Sequence, residues 1–316
     1  MSEYAAGIEG DAPSVLVIGA MAIDAKGQPR RALVPGTSAP GTVRLSIGGV
    51  ARNVAENLAH LGVHATLLSA VGDDPMGRFL LDATARSGVN VEHVLVRRGQ
   101  RSGAYIAVLD RSGVPAHAID DMAVLRYLTP GRVYRLRRLF RDAAMIVCDA
   151  NVPPRTIETI FNLASTYGKP VCVDPTSTTL ADRVRPYLGQ IHLVVPNLQE
   201  ARALVCAPDD ELDAQEMAMR LVDMGVEVAI ITLAEMGLYY ATSDERGRVP
   251  ALQRDIVDLT GAGDALMAAV IFGLLNDIPI SEAVRLGVSA AALTIQCPET
   301  VCPDLSLDRL YGELVT

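Results

Sequence analysis

Tryptophan is absent from this chain, and lysine occurs only twice, at Lys26 and Lys169. The 28 lysines and arginines face 37 acidic residues, for a net charge of −9. That balance argues against a broad nucleic-acid surface, so any anion must be held by a local arrangement. Neither lysine falls in a phosphate-binding motif. GxxxxGK[ST] does not occur, which excludes a P-loop enzyme, and the absence of GxGxxG disfavours a dinucleotide-binding dehydrogenase. The five cysteines, Cys148, Cys172, Cys206, Cys297 and Cys302, contain no CxxC pair. Neither a zinc site nor a disulfide framework is expected from them. They suit a reducing compartment, and a cytoplasmic location is the expectation. The opening MSEYAAGIEGDAP lacks the basic start and apolar stretch of a signal peptide. No uninterrupted apolar run reaches the length of a membrane span. The five histidines, His60, His64, His93, His117 and His192, show no metal-ligand spacing.

What remains is a chain of 316 residues, 50% hydrophobic and only 4% aromatic, whose apolar mass is aliphatic. It is long enough for one large core. Ser14 to Ile23 reads as a buried strand with Asp24 at its end. Val50, Val54, Leu58 and Leu61 share one helical face, with Gly62 placed as a C-cap. Residues 102–109 and 114–119 read as two strands joined by a turn at Asp110–Gly113. With 42–47 they suggest a small separate sheet, too small for its own core and therefore a cover for something else. From residue 130 strands alternate with helices, which predicts a parallel sheet with helices on both faces. Asp24, Asp149, Asp174, Asn197 and Thr232 all fall at strand ends, where open parallel sheets place their ligand crevice.

Three segments carry chemistry. In Asp258-Leu-Thr-Gly-Ala-Gly-Asp264, the small residues Gly261, Ala262 and Gly263 let a ligand approach the backbone at a helix start. Unpaired amides there bind an anion without lysine. Asp264 is then placed to act as general base toward an attacking hydroxyl; an ordinary glycine-rich cap with an acid in its first turn has the same pattern. In Gly48-Gly49-Val-Ala-Arg-Asn53, two glycines precede a helix whose first turn carries Asn53. Its amide both donates and accepts, as a sugar diol requires; a tight turn with a surface Asn is the alternative. In Pro196-Asn197-Leu-Gln-Glu200, Asn197 and Glu200 share a helical face and suit a hydrated Mg²⁺, although the spacing is also that of a capping box.

These segments, in this order, resemble the PfkB/ribokinase family of carbohydrate and nucleoside kinases, over about the whole chain. The likeness implies a ribokinase-like three-layer α/β/α sandwich, with a mostly parallel central sheet and a small β-sheet lid. One domain over residues 1–316 is expected, its lid formed by 25–47 and 99–125. It implies ATP and Mg²⁺, with Asp264 as base and Gly261, Ala262 and Gly263 as anion hole. Asp24, Gly48, Gly49 and Asn53 then meet the sugar, while Asn197, Thr232 and Gly237 lie on the nucleotide side with Glu200 linked to the metal. Asp258 and Thr260 match positions associated with a monovalent cation such as K⁺. Ala234 departs from the glycine frequent in the family. Within the family, GGVARNVAENLAHLG, AIDDMAVL, DANVPP, VDPTST and PDLS are most similar to pseudouridine kinases. That implies transfer to the 5′-hydroxyl of pseudouridine, with Asp121 of the lid near the base and Asn151 near the sugar. The other acceptors to weigh are ribose, fructose and purine nucleosides. A catalytically silent sugar-binding regulator is opposed by the intact Asp264 and glycines. Free lid edges predict a homodimer.

Overall fold

The computed structural model describes residues 13–110, 115–206 and 212–314. The turn expected at Asp110–Gly113 lies largely outside them. Fourteen strands are present among these residues. In chain order they are β1 Ser14–Ile18, β2 Ala22–Pro29, β3 Gly41–Gly48, β4 His64–Leu68, β5 Ala70–Gly72, β6 Leu95–Arg97, β7 Gly103–Leu109, β8 Pro115–Asp121, β9 Met145–Asp149, β10 Val171–Asp174, β11 Leu193–Val194, β12 Val228–Thr232, β13 Leu238–Ala241 and β14 Arg246–Val249.

Eight of them form one sheet in the order β14-β13-β12-β11-β10-β9-β1-β4. Every pairing from β4 to β12 is parallel, and the β13–β14 hairpin closes one edge antiparallel. Alternation along the strands builds three layers. Leu16, Ile18, Ile146, Cys148, Val171 and Val173 point into one hydrophobic layer, where they meet Ile157, Ile160 and Phe161 of the Pro154–Tyr167 helix. Their neighbours Val15, Val17, Met145, Val147 and Cys172 point into the other, against Val54 and Leu58 of the Val50–His60 helix and Met267, Val270 and Ile271 of the Ala262–Leu275 helix. The strands are apolar on both faces because both faces are covered. No helix among the described residues is long and apolar enough to cross a membrane.

A second sheet of four strands has the order β3-β2-β7-β8. It contains one strand more than the sequence pattern indicates. The apolar run from Ser14 to Ile23 is two strands rather than one, because the chain bends after Ile18 and enters the second sheet at Ala22. The bend falls at Gly19, beside Asp149 at the end of β9. Its carboxylate lies where a side chain on Gly19 would stand, with a Cβ only 2.1 Å away. Asp24 therefore belongs to the second sheet, not to the edge of the first.

Asp149 is 1% exposed and accepts the amides of Ala20 (2.7 Å), Ala51 (3.1 Å) and Asn151 (2.9 Å). One carboxylate thus ties the end of β1, the start of the Val50–His60 helix and the loop after β9. Burial raises its pKa, and these hydrogen bonds pull it back. Asp149→Ala orphans three buried amides at about 1–3 kcal/mol each. It is expected to lower stability by about 3–5 kcal/mol in urea unfolding. Asp149→Asn, which keeps one acceptor oxygen, is expected to lose less.

Candidate active site

The Ala262–Leu275 helix is apolar all round, as a helix buried on every side must be. The Ile280–Thr294 helix backs it at close range. A Cβ on Gly273 would stand 2.6 Å from that of Ala283, so only small residues permit the contact. Gly261 is the helix N-cap, with φ 86° and no side-chain cap. A Cβ there would sit 1.8 Å from the Thr300 carbonyl oxygen. Glycine is required by both the backbone angle and the crowding. The first internal bond of the helix is Ala265 N–H to the Gly261 oxygen, 2.9 Å. The amides of Ala262, Gly263 and Asp264 precede that ladder and carry the positive end of the helix dipole. At Gly263 an added Cβ would meet nothing within 4 Å, so this side of the turn faces open space.

Asp264 is 8% exposed, and its Oδ2 accepts Asn53 Nδ2 at 2.7 Å. The glycine-rich segments at the two ends of the chain therefore meet at this hydrogen bond. Asn53 Oδ1 in turn accepts Arg52 Nη1 (3.0 Å) and the Thr300 hydroxyl (3.3 Å). Burial lifts the Asp264 pKa to about 7, with Asp149 and Asp24 adding repulsion and Asn53 and Arg52 opposing the rise. Asp24 is raised to about 6, again chiefly by burial, with Lys26 and Arg52 opposing. Arg52 is itself lowered by burial to about 10 and held up by Asp24 and Asp264. Gly49 has φ 97° and lets the chain pass 2.6 Å, measured from an added Cβ, from the Ala20 oxygen. Gly48 packs against the Asp24 carboxylate in the same way.

On the other side of the crevice, Asn197 and Glu200 form a complete capping box at the Leu198–Val205 helix. Asn197 Oδ1 accepts the Glu200 amide at 3.0 Å, and Glu200 Oε2 accepts the Asn197 amide at 2.9 Å. Thr232 bridges to Asn197, and its amide bonds the Pro196 oxygen at 3.0 Å. Gly237 (φ 90°) carries the turn from β12 into β13. Ala234, the departure from the family pattern, has φ 50°, in the region that favours glycine. Asp174 connects the two sides. Its pKa rises through burial and through its proximity to Asp264, Glu200 and Asp149. Asn151 lies beside Asp149, its side chain 3.5 Å from the Thr176 hydroxyl.

Asp121 lies on the other face. It pairs with Ala104, and its Oδ1 caps the following turn at the Ala123 amide, 3.1 Å. The row in register with Asp24 is Ser46–Asp24–Tyr105–Asp120. Asp24 and Asp120 both raise the Tyr105 pKa, after burial, so the three share one face. A one-residue slip in a strand moves a side chain to the opposite face, and Asp120 is the carboxylate on the Asp24 face of this sheet. Asp258 and Thr260 are both bonded by Lys26, a residue that no motif singles out. Arg52 and Thr300 are further members that sequence reasoning missed, and Asp174 joins them from the five strand ends it pointed to. Arg52 lies inside the Gly-Gly segment, and Asp174 at a strand end.

A glycine-lined helix mouth with free amides and a buried acid beside it are parts that phosphoryl transfer to an alcohol needs, an anion hole and a base. The profile of the pfkB family carbohydrate kinases matches residues 12–305, and the chain belongs to that family. It is 34% identical over 300 residues to the pseudouridine kinase of Escherichia coli K12, covering 94% of this chain and 95% of that one. Among solved structures, it superposes on ribokinase from Thermotoga maritima with a TM-score of 0.84 at 19% identity, over 96% of this chain and 100% of that one. It is also similar to a ribokinase II from E. coli determined with ATP and Mg²⁺ (TM-score 0.82, 16% identity, 96% and 99% covered). The fold is ribokinase-like.

The protonated form of Asp264 is favoured by folding, because its folded pKa of about 7 exceeds the ordinary 3.8. That stabilisation is fully present below about 4 and is lost as pH rises through about 7. Asp264→Asn removes the ionisation. Its melting temperature is expected to exceed the wild type's above pH 7, with the gap narrowing toward pH 4 in thermal scans.

Proposed function

We propose that the chain transfers the γ-phosphoryl group of ATP to the 5′-hydroxyl of pseudouridine. The observation that carries the transfer is the contact between Asn53 and Asp264 at the mouth of the Ala262–Leu275 helix. Asp264 accepts the hydroxyl proton as the alcohol oxygen attacks the γ-phosphorus and ADP departs. The amides of Ala262, Gly263 and Asp264 hold the phosphoryl oxygens while charge develops on them. Asn53 and Asp24 orient the ribose hydroxyls, and Gly48 and Gly49 give them room. Asn151 closes the sugar side. Asn197, Thr232 and Gly237 face the nucleotide.

The carboxylates of Glu200 and Asp174 fit a hydrated Mg²⁺. Both are held at raised pKa by burial, so a cation beside them relieves their repulsion. When bound, the ion supplies charge neutralisation on the phosphates. The second sheet serves as a lid that excludes water, which otherwise competes as acceptor. The five free cysteines suit a cytoplasmic enzyme.

Two features support pseudouridine. One is the 34% identity to a kinase of that name over nearly the whole chain. The other is the row of polar groups at Tyr105 and Asp120. The carbon–carbon glycosidic bond of pseudouridine leaves two ring N–H groups free, and a carboxylate accepts them. The opposite face of the lid is apolar and open: Val43, Leu45, Ile106 and Ile119 are 73%, 62%, 52% and 71% exposed. Leu45, Ala25, Ile106 and Ile119 stand in one row. A second copy of the chain covers this face in a homodimer.

In an ADP-release assay with pseudouridine, uridine, ribose, fructose and adenosine side by side, pseudouridine is expected to give the highest kcat/KM. A stronger response to any other acceptor overturns the substrate reading. Asp264→Asn is expected to lower kcat by about 10²–10⁴-fold. Asp120→Asn is expected to raise KM for pseudouridine, with Asp121→Asn close to wild type. Light scattering after size exclusion is expected to show a dimer, and Ile106→Asp with Ile119→Asp a monomer of unchanged fold.

A further inference from the structure

Lys26 is 8% exposed, and its ammonium is fully engaged. It donates to Asp258 Oδ1 (2.8 Å), Asp258 Oδ2 (2.7 Å) and the Thr260 hydroxyl (2.5 Å). These partners lie 232 and 234 residues away, on the loop that delivers Gly261 to the helix mouth. Asp258 Oδ1 also accepts the Thr260 amide at 2.9 Å, so one carboxylate and one cation fix the turn. Burial alone would raise the Asp258 pKa, and the hydrogen bonds from Lys26 and Thr260 bring it below its ordinary value.

The residue type matters. Nearly all basic residues of this chain are arginine. A planar guanidinium presents a fork, whereas an ammonium is a compact point charge with three donors spread around it. Three oxygens converging on one point, two of them from a carboxylate, are the surroundings of a small monovalent cation. Asp258 and Thr260 are also the two side chains that the family resemblance assigns to potassium. Here the protein fills their coordination with its own charge, and the donor groups do not fit an added ion.

We propose that Lys26 is a built-in monovalent cation for the phosphate-binding loop, so that this enzyme works without potassium. Lys26 is a positioning residue: its three donors are spent on Asp258 and Thr260, and through them it fixes the loop that carries the helix-mouth amides. It also fastens β2, the strand that carries Asp24, to that loop. The inference rests on Gly261–Asp264 being the phosphate-binding loop, and thermal unfolding supplies a readout that needs no acceptor.

The test compares wild type with Lys26→Met in tetramethylammonium chloride and in potassium chloride at equal ionic strength. Wild-type kcat is expected to agree within about twofold between the two salts. Without potassium, Lys26→Met is expected to lose about 10–100-fold in kcat, the scale of a misplaced catalytic group. Potassium or ethylammonium is expected to restore much of it. Potassium is also expected to raise the melting temperature of Lys26→Met and leave that of wild type unchanged. A wild type that is activated or thermally stabilised by potassium overturns the proposal, whether or not the variant folds. So does a folded Lys26→Met variant with wild-type activity in tetramethylammonium. A wild type inactive on every acceptor in both salts, yet unshifted in melting while the variant shifts, removes the acceptor reading and leaves the cation inference standing.

Discussion

The hydrogen bond between Asn53 and Asp264 is the constraint on which the site depends. It joins residues 211 positions apart, and both are almost fully buried. An acid so placed is a poor carboxylate on its own terms, because burial and its acidic neighbours favour the neutral form. Asn53 and Arg52 offset that cost only in part. The result is an acid poised near neutrality, which suits the base of the proposed transfer. Destabilisation of this kind is expected where a site is built for a task.

The carboxylates around Asp264 belong to the same design. Asp24, Asp174 and Glu200 all rise in pKa through burial. Such a cluster is unfavourable in the free protein, and in the proposed reaction hydroxyl donors and a divalent cation would relieve it. Ligand binding is then coupled to the protonation of the whole crevice. The helix mouth next to it has the opposite polarity, which suits the phosphates of the proposed donor. The proposed polyol and polyanion then meet opposite polarities on the two sides of Asp264.

Much of the fold was legible in the sequence. The β9-to-β12 alternation, the helix over Val50–His60 and the glycine-lined turn at Gly261 all follow from local pattern. What escaped was decided by contacts between distant segments. The break between β1 and β2 falls at Gly19, where Asp149, 130 positions downstream, leaves no room for a side chain. The choice between Asp120 and Asp121 depends on strand register, which composition does not encode. The β13–β14 hairpin closes the sheet although the preceding rhythm points to another strand–helix unit. Lys26 has no motif, and only its rarity in an arginine-rich chain sets it apart.

The tight seam between the Ala262–Leu275 and Ile280–Thr294 helices has a mechanical consequence. With Gly273 pressed on Ala283 and Gly287 on Leu266, the helix behind the phosphate site has no slack to slide or roll. Any breathing of the cleft then falls to the four-stranded sheet opposite, a thin layer whose outer face is left to a second copy of the chain in the proposed dimer. The enzyme is therefore an anvil with one moving jaw. Its stroke is resisted where the jaw's own strands grip the rim of the anvil, at Lys26 on Asp258 and at the Ile47 oxygen under the Thr300 hydroxyl.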